Sequence, residues 1–348
     1  MKSVGINEIA KKLNISRNTV SKVMNNRGSV SDKTKDKIIE TAIEMGYSKL
    51  PEEFICKSSK ESKFKNILVI ATSPDFSSFW GKIIHGITEE LASKEYQCFY
   101  HFLTFEQEQN FLLPKLIETG EVAGIIVMNV YNIEAIKSIR SLGLPTVYYD
   151  LPLSIDAREA QADVVVVEGR QGVYDMTVQL LKQGDTKLGF IGDASYCKSI
   201  AERWEGFIKA HKALDVPMNK EYCFTNEENG HFYFGEEVEE PLKTLIRNKQ
   251  DLPHAFVCAN DAIAYKIMKQ LKSYGYNIPK DIRITGFDDI EVLGEKELTS
   301  VGVHISDIGV RLAEQLVWRI QNPKRSYEVI KIYGEIYFRK SSEKKGVS

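Results

Sequence analysis

Several short apolar runs of this sequence are followed by polar or aromatic side chains, where a strand would give way to a loop. The candidates are Asp75, Phe79, Trp80, Asp150, Arg203, Asn260 and Asp288. The carboxyl ends of parallel strands meet at one edge of a sheet, so we expect a shared cleft there. Carboxylates and amides hydrogen-bond hydroxyls, and rings pack on apolar faces. This set therefore suits a polyhydroxylated or otherwise polar, flat ligand.

A second group of polar side chains lies in residues 4–46, which read as three short helices. The second helix, residues 17–25, has an apolar stripe of Val20, Val23 and Met24. Its other face carries Arg17, Asn18, Ser21, Lys22 and Asn25. Arg and Lys donate to guanine, and Asn pairs with adenine. Two helices around a tight turn predict a DNA-reading helix-turn-helix; by periodicity alone, a plain three-helix domain with a solvated face fits equally.

The charge of the 348-residue chain is unevenly distributed. Lys and Arg total 46 against 48 Asp and Glu, a formal charge of −2. Residues 1–65 nevertheless hold fourteen basic against eight acidic side chains. A basic head on an acidic body indicates an anionic partner for the head.

Several classes of protein are disfavoured by what the sequence does not contain. No apolar run reaches the ~18 residues of a membrane helix, and the first fifteen residues show no signal-peptide core. Five scattered cysteines indicate reduced thiols and a cytoplasmic protein. Nucleotide-loop, zinc-protease and nucleophile-elbow motifs are missing. We therefore expect no cofactor, no metal and no catalysis.

From Asn66 onward, seven short β-rich runs alternate with helical segments, one of which spans residues 236–248. The runs are residues 67–71, 124–128, 146–149, 164–167, 188–191, 255–258 and 282–287. This alternation predicts an α/β body of doubly wound parallel sheets. About 270 residues exceed one such unit, so two lobes with a cleft between them are expected.

The head closely resembles the DNA-binding domain of the lactose-repressor (LacI) family of bacterial transcription regulators. The resemblance rests on VGINEIAKKLNISRNTVSKVMNNRGSVSDKTKDKIIETAIEMGY. It implies that Arg17, Asn18 and Lys22 read bases. It also implies DNA-backbone contacts by Ser16, Thr19, Ser21, Asn25, Ser31 and Thr34.

The body also resembles that family, through FIGDASYCKSIAERWEGF, AFVCANDAIA, DIRITGFDDI and ELTSVGV. The resemblance implies a periplasmic-binding-protein-like domain in which Arg203, Asn260 and Asp288 bind an effector and Phe79 and Trp80 line the site. The expected domains are a head (1–47), a linker (48–65), a body (66–340) and a polar tail (341–348). We assign residues 66–163 and 303–322 to the N-lobe, and residues 164–302 and 323–340 to the C-lobe.

The linker departs from the family pattern. Family members carry a hinge that becomes helical on DNA and inserts a Leu into the minor groove. Here Glu52 and Glu53 stand where phosphates would approach. Phe54 and Ile55 are the apolar candidates for a wedge.

Together these features predict a cytoplasmic, homodimeric, ligand-responsive DNA-binding regulator, most often a repressor in this family. Its expected partners are a pseudo-palindromic operator in double-stranded DNA and a sugar or other polar metabolite. Two alternatives are a sugar-binding receptor and a sugar-modifying enzyme with a DNA-binding head. The basic head and the missing catalytic motifs argue against them.

Overall fold

The computed structural model describes residues 5–25, 30–45, 47, 65–72, 78–225, 242, 252–291 and 296–343. Its contacts separate a head within residues 1–64 from a body that begins at Lys65. The predicted linker, and with it Phe54 and Ile55, lies outside the described residues. So do Asp75 and a helix that the sequence predicts at residues 236–248.

The head consists of three helices, α1 (Ile6–Leu13), α2 (Arg17–Met24) and α3 (Asp32–Glu44). Ser16 caps α2, because its hydroxyl accepts the Thr19 amide at 3.0 Å. The apolar side chains of the three helices form one core, with Ile9, Val20 and Ile38 fully buried. The three-helix prediction for this segment is confirmed.

The first lobe of the body is built on a six-stranded parallel sheet. Its strands are β1 (Asn66–Thr72), β2 (Gln97–Leu103), β3 (Val122–Met128), β4 (Thr146–Tyr149), β5 (Asp163–Val167) and β10 (Val329–Ile332), in the order β10-β5-β4-β3-β1-β2. Its helices are α4 (Ser78–Ser93), α5 (Phe105–Gln109), α6 (Ile133–Ser141), α7 (Ala157–Ala160) and α11 (Ile305–Gln321). The central strands β1 and β3 are almost wholly buried and apolar, as a sheet covered on both faces requires.

The second lobe is built on a five-stranded sheet. Its strands are β6 (Leu188–Ile191), β7 (Ala255–Cys258), β8 (Arg283–Phe287), β9 (Thr299–Gly302) and β11 (Glu335–Tyr337), in the order β11-β9-β8-β7-β6. Only β11 runs antiparallel to its neighbour. The described helices are α8 (Arg170–Lys182), α9 (Lys198–Ala213) and α10 (Asp261–Ser273). The prediction of an α/β fold with parallel sheets is confirmed.

The lobe boundaries expected from the sequence are wrong at two places. A boundary at residue 163/164 cuts β5, which pairs with β4 and β10 in the first sheet. Residues 329–332 also belong to the first sheet. The chain therefore passes between the lobes three times, after β5, after β9 and after β10. The buried Asp163 explains the position of β5: its carboxylate accepts from Arg319 at 2.6 Å and from the Glu328 amide at 2.8 Å.

The expected polar tail is also wrong at its start. Ser341 and Ser342 are buried in the second lobe. The Ser341 hydroxyl donates to the Ile284 carbonyl at 2.6 Å and accepts the Thr299 amide at 2.8 Å. These bonds attach the segment to β8 and β9, so residues 341–343 are part of the folded body.

Helices α4 and α11 approach closely through glycines. A Cβ on Gly86 would lie 2.2 Å from the Ser306 carbonyl oxygen, and one on Gly309 would lie 2.1 Å from that of Ile83. This contact fixes α11 to the first lobe beside the helix that carries Phe79 and Trp80.

Candidate functional site

The polar face of α2 carries the three side chains that the sequence assigns to base reading. Arg17, Asn18 and Lys22 are all exposed. None of them makes a side-chain hydrogen bond to another described residue. They lie opposite the buried Val20 and Val23, so burial of the apolar stripe directs them to solvent. Their donors are therefore available to base edges in a major groove.

The six residues assigned to the DNA backbone take part in local hydrogen bonds at helix ends. The Ser16 and Thr19 hydroxyls are 2.8 Å apart, as are those of Ser31 and Thr34. The Asn25 amide donates to the Ser21 carbonyl at 2.8 Å. The pairs Ser16–Thr19 and Ser31–Thr34 lie at the first turns of α2 and α3, where helix N-termini attract phosphate. The bond between Asn25 and Ser21 lies in the last turn of α2.

A cleft of about 340 Å³ lies between the two lobes of the body. Its walls differ in chemistry. The first lobe contributes five of its six aromatic rings, and the second lobe contributes most of its charged and polar groups. The lining residues are Phe79, Trp80, Phe105, Asn129, Tyr131, Tyr149, Tyr196, Cys197, Ser199, Ile200, Arg203, Asn260, Ala262, Lys266, Asp288 and Ile290. Such a cleft binds a ligand with an apolar face and a polar edge.

Three rings form the aromatic corner of the cleft. Phe79 and Trp80 lie in the first turn of α4, and Tyr149 ends β4. The Trp80 ring meets Phe79 and Tyr149 edge to face, with centroids 5.1 and 5.9 Å apart. Edge-to-face packing fixes the orientation of each ring before any ligand arrives. The Tyr149 hydroxyl makes no hydrogen bond to the other described residues.

Arg203 is the most tightly held charged group of the cleft. It lies on α9, is 5% exposed, and donates from Nη1 to the Ala259 carbonyl at 2.6 Å. Its Nη2 lies 3.4 Å from Asp288 Oδ1. The guanidinium carbon sits 3.6 Å above the Phe287 ring. A stacked, paired guanidinium is a preorganised donor for ligand oxygens.

Asp288 follows β8 with a φ of 104°, a backbone region that L-residues rarely adopt. Burial raises the pKa of the Asp288 carboxyl to about 6, while the Arg203 charge partly opposes this rise. The long 3.4 Å contact to Arg203 leaves the carboxylate able to accept from a ligand.

Asn260 caps α10 and lines the cleft at the same time. Its Oδ1 accepts the Ile263 amide at 2.9 Å. The side-chain amide group has no other partner among the described residues, so it can donate to a ligand. Asn260 can therefore cap α10 and bind a ligand at the same time.

Asp150 is placed differently from the sequence prediction, because it does not line the cleft. Its carboxylate accepts the Ser199 amide at 3.2 Å, the Ser199 hydroxyl, and the Leu151 amide at 2.8 Å. These bonds occupy both of its oxygens. Of the predicted effector residues, Phe79, Trp80, Arg203, Asn260 and Asp288 do line the cleft.

Sequence analysis did not select four of the aromatic residues that line the cleft, namely Phe105, Tyr131, Tyr149 and Tyr196. Tyr131 follows β3 and Tyr149 is the last residue of β4, so both stand at the strand ends used to select the other candidates. Phe105 had no such signal, because it begins α5 after the unpredicted edge strand β2. Tyr196 and Cys197 lie in the loop before α9, where no pattern marks them.

The geometry of the head and of the cleft indicates a protein with one DNA-binding part and one ligand-binding part. A three-helix head that presents Arg17, Asn18 and Lys22 of α2 to solvent precedes a two-lobed α/β body with a cleft between its lobes. Within the described residues, no helix has the length and apolarity needed to cross a membrane.

The comparisons with known proteins agree with this class. Residues 5–49 match the family model for bacterial regulatory proteins of the lacI family, and residues 177–342 match a periplasmic binding protein-like domain. The chain is 26% identical over 345 residues to the NTD biosynthesis operon regulator NtdR of Bacillus subtilis (strain 168). The alignment covers 97% of this chain and 99% of NtdR.

Solved structures show the same fold. A transcriptional regulator CelR–cellobiose complex superposes with a TM-score of 0.68 at 20% identity, covering 97% of this chain and 99% of that chain. The lac repressor dimer bound to operator and the anti-inducer ONPF superposes with a TM-score of 0.62 at 17% identity. The match covers 98% of this chain and 99% of that chain. The chain thus combines a DNA-binding domain of the lacI family with a periplasmic binding protein-like body, the domain organisation of LacI-type regulators. It is a DNA-binding regulator of transcription with an effector-binding body.

Proposed function

We propose that this protein is a cytoplasmic, homodimeric repressor. Its head reads a pseudo-palindromic operator, and its cleft binds a sugar or related polar metabolite. The observation that carries the effector proposal is the cleft itself, in which aromatic rings of the first lobe face Arg203, Asn260 and Asp288 of the second. Pyranose rings present this combination of an apolar face and hydroxyl edges. Cellobiose in the CelR complex supports the same class of ligand.

On the DNA side, we propose that Arg17, Asn18 and Lys22 read base edges. Ser16, Thr19, Ser21, Asn25, Ser31 and Thr34 would contact the sugar–phosphate backbone. A dimer presents two such heads, about one helical turn apart, to the two halves of an operator. The lac repressor dimer bound to its operator supports this arrangement. Selection of binding sites from random duplex DNA tests it, since a single half-site consensus would contradict the dimer.

The domain proposal follows the observed sheets. Residues 1–47 form the head, residues 48–64 the linker, and residues 65–343 the two-lobed body. The first lobe contains the six-stranded sheet with α11, and the second lobe the five-stranded sheet.

The effector proposal is tested by thermal unfolding of the full chain against a panel of sugars, sugar phosphates and nucleosides. A ligand at 100 times its Kd stabilises the native state by about 2.7 kcal/mol. Arg203→Ala should abolish the shift that a sugar produces in the wild type. If no sugar shifts unfolding while a nucleoside does, the sugar proposal is wrong and the cleft proposal stands.

The family consists of DNA-binding regulators, and we propose that this chain likewise releases its ligand unchanged. Incubation of the protein with each stabilising ligand, followed by NMR of the small molecule, tests this. Turnover that Asp288→Asn abolishes would instead support the sugar-modifying alternative.

A further inference from the structure

The segment of residues 193–199, which joins β6 to α9 and includes the first two residues of that helix, leaves the second lobe and contacts the first lobe at three places. We call these residues the 193–199 loop. It contains Tyr196, Cys197 and Ser199, which also line the cleft. The loop therefore touches both the ligand space and the opposite lobe.

The first contact is made by Tyr196. Its hydroxyl donates to Asn129 Oδ1 at 3.0 Å, and the Asn129 amide donates in turn to the Thr72 carbonyl at 2.8 Å. Asn129 is buried and has a φ of 54°. It directly follows β3 and is bonded to the last residue of β1, so the ends of both strands hold its side chain. The Tyr196 ring also meets Tyr131 edge to face, with centroids 4.8 Å apart.

The second contact joins the start of α9 to Asp150. The Ser199 amide and hydroxyl both donate to Asp150 Oδ2. A carboxylate at a helix N-terminus is favoured by the orphan amides and by the helix dipole. In the third contact, the Lys198 amide donates to the Leu151 carbonyl at 3.0 Å, and the Lys198 ammonium donates to the Ile155 carbonyl.

Each bond of the 193–199 loop that crosses between the lobes has its donor in the second lobe and its acceptor in the first. The lobes are otherwise linked by three crossover segments and by an ion pair in which the Lys331 ammonium of β10 donates to the Glu202 carboxylate of α9 at 2.7 Å. Opening the cleft would break all of the loop's bonds together, because the loop is short and stays attached to β6 and α9. Their combined loss opposes opening.

We propose that the 193–199 loop is a latch that holds the two lobes closed over the cleft, with Asn129 and Asp150 as its acceptors. Asp150 is then a positioning residue that acts on lobe closure. The latch requires no particular effector, so its test can be made without one.

Cys197 reports on the latch directly. Its side chain lies in the loop, lines the cleft and is 3% exposed. Burial raises the pKa of the Cys197 thiol, which suppresses the reactive thiolate while the lobes are closed. The thiol of Cys258, in the middle of the second sheet, is fully buried and reacts only when the lobe unfolds.

The experiment measures alkylation of the full chain by N-ethylmaleimide at low concentration, with each cysteine quantified by peptide mass spectrometry. Under these conditions the rate at Cys197 follows the open fraction. Tyr196→Phe removes one inter-lobe hydrogen bond and keeps the ring. We expect Cys197 to react about two- to twelvefold faster, the change that one neutral hydrogen bond produces.

Asp150→Asn removes the charge but keeps the shape, and Asn tolerates the left-handed backbone of this position (φ 64°). Because its bonds to Ser199 are charge-assisted, we expect about a tenfold or larger increase at Cys197. The Asp150 charge also raises the pKa of this thiol, so the rates are compared after correction for thiol ionisation, which is read from the pH dependence of alkylation. The double variant should show the product of the two factors. Tyr148→Phe is the matched control, since it removes a buried hydroxyl that has no partner among the described residues; its Cys197 rate should stay at the wild-type value.

The proposal is supported if Cys197 accelerates and Cys258 does not. Unchanged Cys197 rates in Tyr196→Phe and Asp150→Asn would overturn it. So would equal acceleration at Cys197 and Cys258, which would show that these bonds stabilise the whole lobe. Neither result depends on the identity of the effector, so the proposed function is judged separately.

Discussion

The Arg203 guanidinium lies over the ring of Phe287, 3.6 Å from its centroid, while its Nη1 donates to a backbone carbonyl of the same lobe. Phe287 ends β8, and Asp288 follows it directly. One strand end therefore supplies both the platform and the counter-ion of the arginine. Charge alone does not explain this arrangement, since only a flat, delocalised cation can stack and pair at once.

Arg203→Lys should therefore fail as a replacement. Lysine keeps the charge but loses the stacked plane and the fork of donors, so we expect the ligand-induced rise in Tm to be lost as fully as in Arg203→Ala. Differential scanning fluorimetry with the ligand found in the panel measures this. Arg140→Lys, an exposed arginine of α6, is the control and should keep the full rise. A normal response of Arg203→Lys would show that only charge matters.

The Asp288 carboxyl should make stability depend on pH. Burial raises its pKa to about 6 from an ordinary value of 3.8, so the folded state binds its proton more tightly than the unfolded state. This contribution is present in full below about pH 4 and is lost as the pH rises through about 6. The shift corresponds to about 3 kcal/mol.

Urea unfolding between pH 4 and 7 tests the Asp288 prediction. Arg203, Asp261 and Tyr149 are the titratable groups around this carboxyl. Because the Asp288 charge also raises the pKa of Asp261, the difference between the wild type and Asp288→Asn reports the titration of this pair of carboxyl groups. The free energy of unfolding of the wild type should fall relative to that of the variant as the pH rises. A constant difference across this range would contradict the raised pKa.

Recognition of DNA should depend on the exposed face of α2. Arg17→Ala, Asn18→Ala and Lys22→Ala should each cost about 1–3 kcal/mol on the selected operator and much less on random DNA. Fluorescence anisotropy with both duplexes measures the ratio. Lys11→Ala removes the same charge from α1 and should leave the ratio unchanged. If Lys22→Ala preserves the ratio as well, Lys22 does not read a base.

The buried Glu108 should position the aromatic wall of the first lobe. Its carboxylate accepts the amides of Tyr131 and Asn132 at 2.7 and 2.8 Å, on the same short helix that carries Phe105. Glu108→Ala leaves two amides unpaired and should cost about 2–4 kcal/mol of unfolding free energy. Glu108→Gln should cost clearly less. Glu106→Ala, exposed on α5, should be close to neutral; similar losses in all three would argue against the role of these bonds.

Two glycine-to-alanine substitutions, one at the contact between α4 and α11 and one away from it, should have opposite effects on stability. Gly309→Ala places a methyl 2.1 Å from the Ile83 carbonyl and should lower the Tm by forcing the helices apart. Gly81→Ala, on α4, meets no atom within 4 Å and should stabilise by about 0.5–1 kcal/mol through helix propensity. A stable Gly309→Ala variant would mean that the helices can separate without cost.

The sequence predicted best where one physical signal dominated. Continuous apolar runs marked seven of the strands, and the stripe of Val20, Val23 and Met24 marked the recognition helix. The edge strand β2 was missed because its residues QCFYHFL alternate, leaving Phe99 and Phe102 partly exposed. The strands β9, β10 and β11 were missed as well, because they are only three or four residues long. In addition, β10 pairs with β5, which lies far away along the chain.

For the cleft, the polar residues of the second lobe, including Arg203, Asn260 and Asp288, were predicted in two ways. They follow the ends of predicted strands, or they match the family resemblance. Neither signal could show that Asp150 points to Ser199, because that contact joins residues 49 positions apart. The position of β5 was likewise beyond local pattern, since its buried Asp163 pairs with Arg319, 156 residues later. Such long-range polar pairs leave no trace in hydrophobic periodicity.

The three crossovers have a consequence for biosynthesis. Strand β5 gains its outer neighbour β10 only after residues 168–328 have left the ribosome, so the first sheet has an open, apolar edge while all of the second lobe except β11 and the segment after it is being made. Helix α11 arrives equally late, and neither lobe is a continuous stretch of chain. Unpaired edges of nascent chains attract aggregation. Nascent chains arrested before residue 328 should therefore engage chaperones, and release should coincide with the emergence of β10.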